Sequence, residues 1–310
     1  MVSAGTGINR INIYEYEFTR GFPIPGFIIR HILGSSENKV VLRFDLNVAY
    51  EVEKKQNNIF IMKLLINNNN ILRKIEIYKN IFNNKIDDNS MYIIMNNNIY
   101  KIEIFLNNTY AKLYISPSMR SSTLNINGIH MHQIIKMSPY RDSERKAYYA
   151  RIRRGDRVLD ICTGLGYTAI AALKRGASSI VTIEISNHVL GLAEVNPWSF
   201  YLNSDKITII NNDALNILPR MRDNIFDRVI HDPPRFNIAG ELYSLSFYKE
   251  IYRVLKPGGL LFHYTGQPLK NRGRGLGPII KGIKTRLQQA GFIVLRYIRE
   301  VYGFVAAKPR

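Results

Sequence analysis

The chain contains one cysteine among its 310 residues, and this scarcity excludes two kinds of protein. Cys162 has no second cysteine with which to form an internal disulfide, so a secreted, disulfide-rich scaffold is excluded. One thiol also cannot supply the several cysteines of a structural zinc site. We therefore expect neither a disulfide framework nor a zinc finger.

Long apolar runs are lacking as well. No stretch approaches the roughly 18 to 20 unbroken apolar residues that a membrane helix needs. Residues 1–20 carry polar and charged side chains where a signal peptide would have an apolar core. We expect a protein that stays in the cytoplasm and does not associate with membranes.

Acidic residues are few relative to basic ones. The chain has 24 Asp and Glu against 43 Lys and Arg, which gives a formal net charge of +19. Such a surplus attracts polyanions at long range, because each phosphate neutralised by Lys or Arg releases counterions. Nucleic acid is therefore the expected partner, and RNA in particular. The alternative is a solvated surface typical of a basic proteome.

The two halves of the chain differ in the pattern of their apolar residues, and the length of the chain predicts two domains. From residue 39 to about 116, short β-branched or alternating runs are separated by asparagine clusters. Asparagine tolerates positive φ, so these clusters suit hairpin turns. Residues 1–125 are predicted to form a small, mostly β domain, with substrate recognition as its candidate role. A low-complexity tract is the disfavoured alternative, because strand-like runs interrupt it.

After Ser138-Pro139, strand-like runs alternate with helical stretches, which indicates βαβ units and a parallel sheet. Five predicted strands begin at residues 157, 180, 207, 227 and 259. Residues 292–299 and 302–307 are predicted to form a final antiparallel hairpin. The sequence therefore predicts an α/β domain over residues 126–310, with a mostly parallel, seven-stranded sheet.

Acids and glycines follow the predicted strands, at the edge where open α/β sheets bind ligands. Asp160 ends the first strand, and Gly164 and Gly166 then allow a tight turn with close backbone approach to a ligand. Glu184 lies 24 residues after Asp160, a distance at which an acid binds the ribose hydroxyls of an adenosine-containing ligand.

Two further acids follow the later strands. Asp213 is placed to reach an adenine amino group, and Asp232 ends the fourth strand. Any one of these acids could instead cap the following helix. All four in register are hard to assign to capping alone.

Residues from about 138 to the end resemble the class I S-adenosylmethionine-dependent methyltransferases. The matching motifs are the loop from Asp160 to Gly166, the ribose acid Glu184, the adenine-side pair Asp213-Ala214, the fourth motif Asp232-Pro233-Pro234, and the turn at 255–259. More narrowly, segments 123–132, 162–168, 196–199, 231–235, 239–244 and 262–266 are similar to a family of predicted archaeal methyltransferases. The class usually has glycine where Cys162 stands.

This resemblance implies a Rossmann-like core and S-adenosyl-L-methionine as the cofactor. The cofactor-binding residues it implies are Asp160, Cys162, Thr163, Gly164, Gly166, Glu184, Ile185, Asp213, Ala214 and Asp232. Methyl transfer from a sulfonium is an in-line displacement that needs alignment and exclusion of water, so no metal is expected. His130 and His132 superficially suit a metal, but no third ligand is visible nearby.

The fourth motif supplies the predicted catalytic residues. In the class, this turn commonly holds a nitrogen of a base, which points to Asp232, Pro233 and Pro234. Arg235 stands where an aromatic residue is usual, and as a planar fork it suits a carboxylate or phosphate. Phe236, one position later, is the candidate for stacking on a flipped base.

His231 has two possible roles. It could act as a general base next to Asp232. It could equally be a buried structural histidine, because alternation places it on the opposite side of the strand. Cys162 lies in the cofactor loop and not in the fourth motif, so cysteine-dependent methylation of a pyrimidine carbon 5 is not expected.

Basic residues cluster in two places. Lys270, Arg272 and Arg274 alternate with small or polar residues and could follow a phosphate backbone, although a solvated, mobile loop has the same composition. The approach to the first strand carries Arg141, Arg145, Lys146, Arg151, Arg153, Arg154 and Arg157.

The predicted function is methylation of a nitrogen of RNA, either tRNA or rRNA. One alternative is an aminopropyl transferase, because polyamine synthases pair a small N-terminal β domain with this core. Others are a small-molecule or protein methyltransferase, or a catalytically silent fold that docks RNA or a protein. A fold without catalytic activity is disfavoured, because all four acids are present: Asp160, Glu184, Asp213 and Asp232.

Overall fold

The computed structural model describes residues 13–56, 59–67, 70–82, 85–106, 108–266 and 277–310. The basic residues Lys270, Arg272 and Arg274 lie outside the described residues. The helices are α1 (Gly26–Gly34), α2 (Pro139–Tyr149), α3 (Tyr167–Lys174), α4 (Asn187–Glu194), α5 (Ala214–Ile217), α6 (Leu245–Val254) and α7 (Pro278–Gln289). Across the described ranges, none of them combines the length and apolar composition needed to cross a membrane.

The first part of the chain is β-rich, as predicted. Its strands are β1 (Ile13–Tyr14), β2 (Phe22–Pro25), β3 (Lys39–Arg43), β4 (Ala49–Lys54), β5 (Ile59–Ile66), β6 (Asn70–Tyr78), β7 (Met91–Met95), β8 (Asn98–Lys101), β9 (Glu103–Leu106), β10 (Thr109–Tyr114), β11 (Thr123–Ile126) and β12 (Ile129–His130). They form antiparallel sheets of order β3-β4-β5-β6, β2-β7-β8 and β12-β11-β10-β9, apart from β1.

An asparagine pair makes a hairpin turn in this region, as its chemistry predicts. Met95 pairs with Asn98, which leaves Asn96 and Asn97 as a two-residue loop between β7 and β8. Both have positive φ, 50° and 59°, the combination that a type I′ turn requires. The turn fixes the register of the hairpin.

The remaining strands are β13 (Arg157–Ile161), β14 (Ser179–Glu184), β15 (Ile207–Asn211), β16 (Phe226–His231), β17 (Leu255–Tyr264), β18 (Ile293–Ile298) and β19 (Gly303–Ala307). With β1 they form one sheet of order β1-β15-β14-β13-β16-β17-β19-β18. β13 to β17 are mutually parallel, and β19 pairs antiparallel with both β17 and β18. The predicted seven strands and the antiparallel hairpin are confirmed.

The eighth strand of this sheet was not predicted. β1 pairs antiparallel with β15, with Ile13 opposite Ile210. Tyr14 and Tyr16 reinforce the junction, because their hydroxyl groups donate to the Glu194 carboxylate and to the Ala193 carbonyl, respectively. The N-terminal segment is thereby fixed to the edge of the large sheet.

Helices cover both faces of the large sheet. α6 and α7 bury Phe247, Ile251 and Ile283 on one face. α2, α3 and α4 pack on the other face, whose core continues into the antiparallel sheets. Phe44 and the fully buried Trp198 meet edge to face there, with ring centroids 5.6 Å apart. The β-rich region is thus packed on the sheet face that α2, α3 and α4 cover.

Candidate functional site

A cavity opens at the carboxyl ends of β13, β14 and β16. Parallel pairing places Ile161, Ile183 and His231 side by side, so the loops that follow these strands share one edge. The cavity brings together eight of the predicted site residues: Cys162, Thr163, Gly164, Glu184, Asp232, Pro233, Pro234 and Arg235. The predicted residues Asp160, Gly166, Ile185, Asp213, Ala214, His231 and Phe236 do not line it.

The loop after β13 has the backbone of a glycine-rich turn. Cys162, Gly164 and Gly166 all have positive φ, at 73°, 54° and 76°. A Cβ added to Gly164 would meet nothing within 4 Å, whereas one added to Gly166 would lie 2.4 Å from the Leu202 side chain. Gly164 therefore leaves open space at the cavity and Gly166 allows close packing. Cys162 adopts a left-handed conformation that favours glycine.

Glu184 is held by backbone amides at the cavity wall. Its Oε2 accepts from the N–H of Gly164 and its Oε1 from the N–H of Ser186, both at 3.0 Å. Burial raises the pKa of this carboxyl group, although these amides favour its ionised form. Each oxygen retains a lone pair, so the carboxylate can still accept hydrogen bonds from vicinal hydroxyls.

Asp160 lies beneath the loop and is fully buried. Its Oδ2 accepts from the Thr182 hydroxyl at 2.7 Å, but its Oδ1 has no hydrogen-bond partner among the described residues. Burial raises the pKa of Asp160 from 3.8 to about 7. A second unpartnered polar atom, the buried Oγ of Ser143, belongs to a residue that lines the cavity. Unsatisfied buried groups of this kind fit a polar ligand.

Asp213 caps a helix in this structure. Its side chain accepts from the N–H of Leu215 at 2.9 Å and begins α5. The neighbouring Ala214 is buried, and Ile185 is 67% exposed beside Glu184. The capping role that the sequence left open for Asp213 is therefore present.

Asp232 is bound to a buried lysine that the sequence did not single out. Nζ of Lys146, on α2, lies 2.9 Å from Oδ1 and 2.8 Å from Oδ2 of Asp232, and 2.9 Å from Oδ2 of Asp142. The ammonium group is also 4.5 Å from the ring centroid of Tyr264. Lys146 is 1% exposed, so all three of its donors are used inside the protein.

Two carboxylates share this one ammonium group. They raise the pKa of Lys146 against the opposing effect of burial, so the lysine stays charged. Burial and the neighbouring Asp142 raise the pKa of Asp232, while Lys146 lowers it. Asp232 is therefore an oriented hydrogen-bond acceptor, with both oxygens fixed toward α2.

The residues on either side of Asp232 in the sequence differ in burial. His231 is fully buried behind the strand, where one ring nitrogen, Nε2, lies 3.0 Å from the Leu242 carbonyl and the ring stacks on His263. Burial lowers the pKa of His231 to about 4. This placement matches the structural alternative. Arg235 is exposed at the cavity mouth, and Phe236 packs edge to face on Tyr243 at 5.4 Å.

The segment from β11 to β12 forms a wall of the cavity that sequence reasoning missed. Leu124, Ile126, His130 and His132 line it. His132 Nδ1 is 2.9 Å from Thr123 Oγ1, and burial lowers the pKa of His132 to about 3. Both histidines are thus occupied by protein contacts. In the described part of the chain, no group of three His, Cys, Asp or Glu residues could hold a metal ion.

A buried polar network ties this wall to the helix that follows the loop after β13. The Tyr167 hydroxyl donates to the Ser122 carbonyl at 3.0 Å and accepts from the Asn196 side-chain amide at 3.0 Å. The Asn196 side chain also accepts from the Ser122 hydroxyl. Asn196 was noted in the sequence only through a family resemblance. No local pattern indicates partners that lie 74 positions apart.

Comparison with known proteins relates the chain to methyltransferases. Residues 123–262 match the family model described as "Conserved hypothetical protein 95". The uncharacterized protein MJ1233 of Methanocaldococcus jannaschii is 43% identical over 91% of this chain and 94% of its own length. Ribosomal RNA large subunit methyltransferase I of Photobacterium profundum is 30% identical, over 48% of this chain and 39% of that enzyme.

One solved structure shows the fold. A spermidine synthase in complex with the transition-state analogue AdoDATO superposes with a TM-score of 0.55 at 16% identity. The superposition covers 67% of this chain and 75% of that one.

Proposed function

We propose that RNA is the substrate of this chain. The chain belongs to the class I S-adenosylmethionine-dependent methyltransferases. It is an enzyme with S-adenosyl-L-methionine as its cofactor. The proposed reaction transfers a methyl group to a nitrogen of RNA. The observation that carries the proposal is the single cavity in which the cofactor loop at Gly164, the acid Glu184 and the Asp232-Pro233-Pro234 turn meet.

The cofactor supplies an electrophilic methyl group on a sulfonium. We assign Gly164 and Glu184 to its nucleoside side, because one borders open space and the other presents a fixed carboxylate. Asp160 is buried beneath the loop and does not line the cavity, and its proposed role is to face the polar end of the cofactor from below through Oδ1, which has no hydrogen-bond partner among the described residues. The proposal for Asp213 and Ala214 is contact with the adenine from the start of α5.

Asp232 and the two prolines are proposed to hold the methyl acceptor. Lys146 keeps the Asp232 carboxylate oriented, so a nitrogen that donates to it is aligned before the reaction. Pro233 and Pro234 line the same cavity and add apolar surface beside Asp232. Burial raises the pKa of Cys162 well above that of a free thiol, so this cysteine is neutral and does not favour carbon methylation.

RNA is supported by charge and by the relatives. The net charge of +19 favours a polyanion, and Arg235 is exposed at the cavity mouth. A ribosomal RNA methyltransferase matches the chain over about half of its length. We propose that residues 126–310 carry out the reaction and that residues 1–125 help to recognise the substrate. The chain spans only 39% of that relative, so the match does not extend the relative's rRNA substrate to this chain. The proposal therefore covers both rRNA and tRNA.

Aminopropyl transfer is the second candidate, favoured by the fold shared with a spermidine synthase. A cationic amine substrate needs carboxylates that are not already neutralised. Here Asp232 and Asp142 share the ammonium group of Lys146. Two carboxylates and one ammonium group leave one net negative charge, so the argument against a polyamine is the direct contact of Lys146 with both oxygens of Asp232, which repels a second ammonium group there.

The test is transfer of an isotope-labelled methyl group to total RNA. We expect label in RNA with the natural chain, loss of label after nuclease treatment, and at least a hundredfold slower transfer with Asp232→Asn. The exposed Arg222→Ala is the control that should keep activity. Label in protein or small metabolites only, or aminopropyl transfer to putrescine from the decarboxylated cofactor, would contradict the proposal.

A further inference from the structure

Arginines surround two tyrosines at the end of α2, on the sheet face that α2 and α3 cover. A cleft runs between the ends of α2 and α3 and strand β18. Its lining consists of Tyr148, Arg151, Ile152, Arg153, Arg175 and Arg296. We call this surface the arginine cleft. It does not share a lining residue with the cavity at Asp232.

The positive charge of the arginine cleft is not compensated. None of its four arginines lies within salt-bridge distance of a carboxylate in the described ranges. Glu300 accepts from the Tyr149 hydroxyl and Asp156 accepts from the Arg153 backbone N–H, but both acids are already paired with arginines that do not line the cleft. Glu300 binds Arg145 at 2.8 Å and Asp156 lies 3.4 Å from Arg228. Four guanidinium groups thus concentrate positive charge on one concave surface.

The two tyrosines hold guanidinium groups through their ring faces. Tyr148, which is 49% exposed, has Arg145 at 4.9 Å and Arg175 at 5.4 Å from its ring centroid. Tyr149 has Arg145 at 5.1 Å and Arg296 at 5.4 Å.

A cation–π contact uses only the face of the guanidinium. Glu300 already takes the N–H edge of Arg145, and the Ile152 carbonyl accepts from Nε of Arg175. In the described part of the chain, Arg296 and the terminal nitrogens of Arg175 therefore keep N–H groups available. Such N–H groups bind phosphate oxygens in a bidentate manner.

We infer that the arginine cleft binds the phosphodiester backbone of RNA, as a docking site separate from the methyl-transfer cavity. This inference rests on the proposed RNA substrate. The two sites are linked by α2, because Arg145 and Tyr149 lie within one helical turn of Lys146, about 5.4 Å along the axis. Arg151 and Arg153 precede β13, whereas Asp232 follows β16, so an RNA that occupies both sites must extend along α2 from one edge of the sheet to the other.

The test measures RNA binding as a function of salt with the full chain. The probe is a fluorescently labelled, mixed-sequence, single-stranded RNA. Arg153→Ala combined with Arg296→Ala removes two exposed cations from the cleft. The matched control, Arg222→Ala combined with Lys249→Ala, removes two exposed cations from outside it, one of them on α6 across the sheet. Both variants have the same net charge.

Each phosphate contact on a single strand contributes about 0.7 to the slope of log affinity against log salt. The cleft variant should therefore lose about 1.4 from this slope and bind roughly tenfold more weakly near physiological salt. The control should keep the slope of the natural chain. Cofactor binding by calorimetry should be the same in all three proteins.

The outcomes separate this inference from the proposed function. Equal slopes and affinities for the two variants would overturn the docking site, even if RNA is methylated. A selective loss in the cleft variant supports the docking site, even if no RNA is methylated, in which case the proposed function fails alone. Binding of poly-glutamate with the same selectivity, and not of RNA, would overturn the inference in favour of an acidic protein partner.

Discussion

Lys146 Nζ lies within 2.9 Å of both carboxylate oxygens of Asp232, from a helix 86 positions earlier in the chain. The same ammonium group binds Asp142. Removing it should leave two buried carboxylates facing each other. We expect Lys146→Met to lower the free energy of unfolding by about 3 to 5 kcal/mol, measured by urea denaturation near neutral pH.

The loss should depend on the acids and not on packing alone. Adding Asp142→Asn and Asp232→Asn to Lys146→Met removes the unpaired charges, so most of the stability should return. Burial raises the pKa of Asp232, so mild acid protonates this carboxylate more readily. The loss of unfolding free energy in Lys146→Met should therefore be smaller in mild acid than near neutral pH. A triple variant as unstable as the single one would show that lost packing is the cause.

Asp160 should make stability depend on pH. Its pKa is raised from 3.8 to about 7, so the stability associated with its protonated form is present at low pH and is lost as pH rises through about 7. We expect Asp160→Asn to melt a few degrees higher than the natural chain above this range, and the difference to vanish toward pH 4. The exposed Asp205→Asn is the control. Melting curves across this range measure the effect, and a difference that grows in acid would refute it.

Cys162 holds a backbone conformation suited to glycine, with φ at 73°. We expect Cys162→Gly to fold and to bind the cofactor within a few-fold of the natural chain, since the loop keeps its shape. Cys162→Val should cost about 1 to 3 kcal/mol, because a β-branched residue strains this region of φ. Denaturant unfolding and calorimetry test both variants. Equal stability of the two variants would be inconsistent with this reading of the loop.

Gly164 borders the cavity, and a side chain there should block it. Gly164→Val should abolish measurable cofactor binding, because its Cβ points into open space beside Glu184. Gly155 offers a matched control, with φ at 89° and open space around its Cβ, in the loop before β13. Gly155→Val should lose similar stability, about 1 to 3 kcal/mol, yet bind the cofactor. Binding retained by Gly164→Val would remove this glycine from the cofactor site.

The sequence predicted the large sheet and one edge of the cavity, because both follow from local patterns. Asp160, Glu184 and Asp232 each lie within one residue of the end of a strand, and parallel strands must bring their carboxyl ends to one edge. Lys146 was counted only as one of several basic residues. Its four-residue spacing from Asp142 is a weak local signal, whereas its pairing with Asp232 depends on tertiary packing.

Other features lay beyond local reasoning for similar reasons. β1 has two residues, too few for a periodic pattern. His130 and His132 lie two apart and superficially suggest a metal, yet packing against Thr123 and Tyr114 occupies them. The cavity wall they form depends on how the β-rich region meets the large sheet, which the residue pattern of neither part encodes.

The pairing of β1 with β15 joins Ile13 to Ile210, so it spans nearly two-thirds of the chain. During synthesis the first of these strands emerges from the ribosome long before the second, and closing such a long loop carries a high entropic cost. Until then, β15 keeps an open row of backbone donors and acceptors that another chain could pair with. The two residues of β1 thus cover the middle of a strand that would otherwise be open to pairing with another chain.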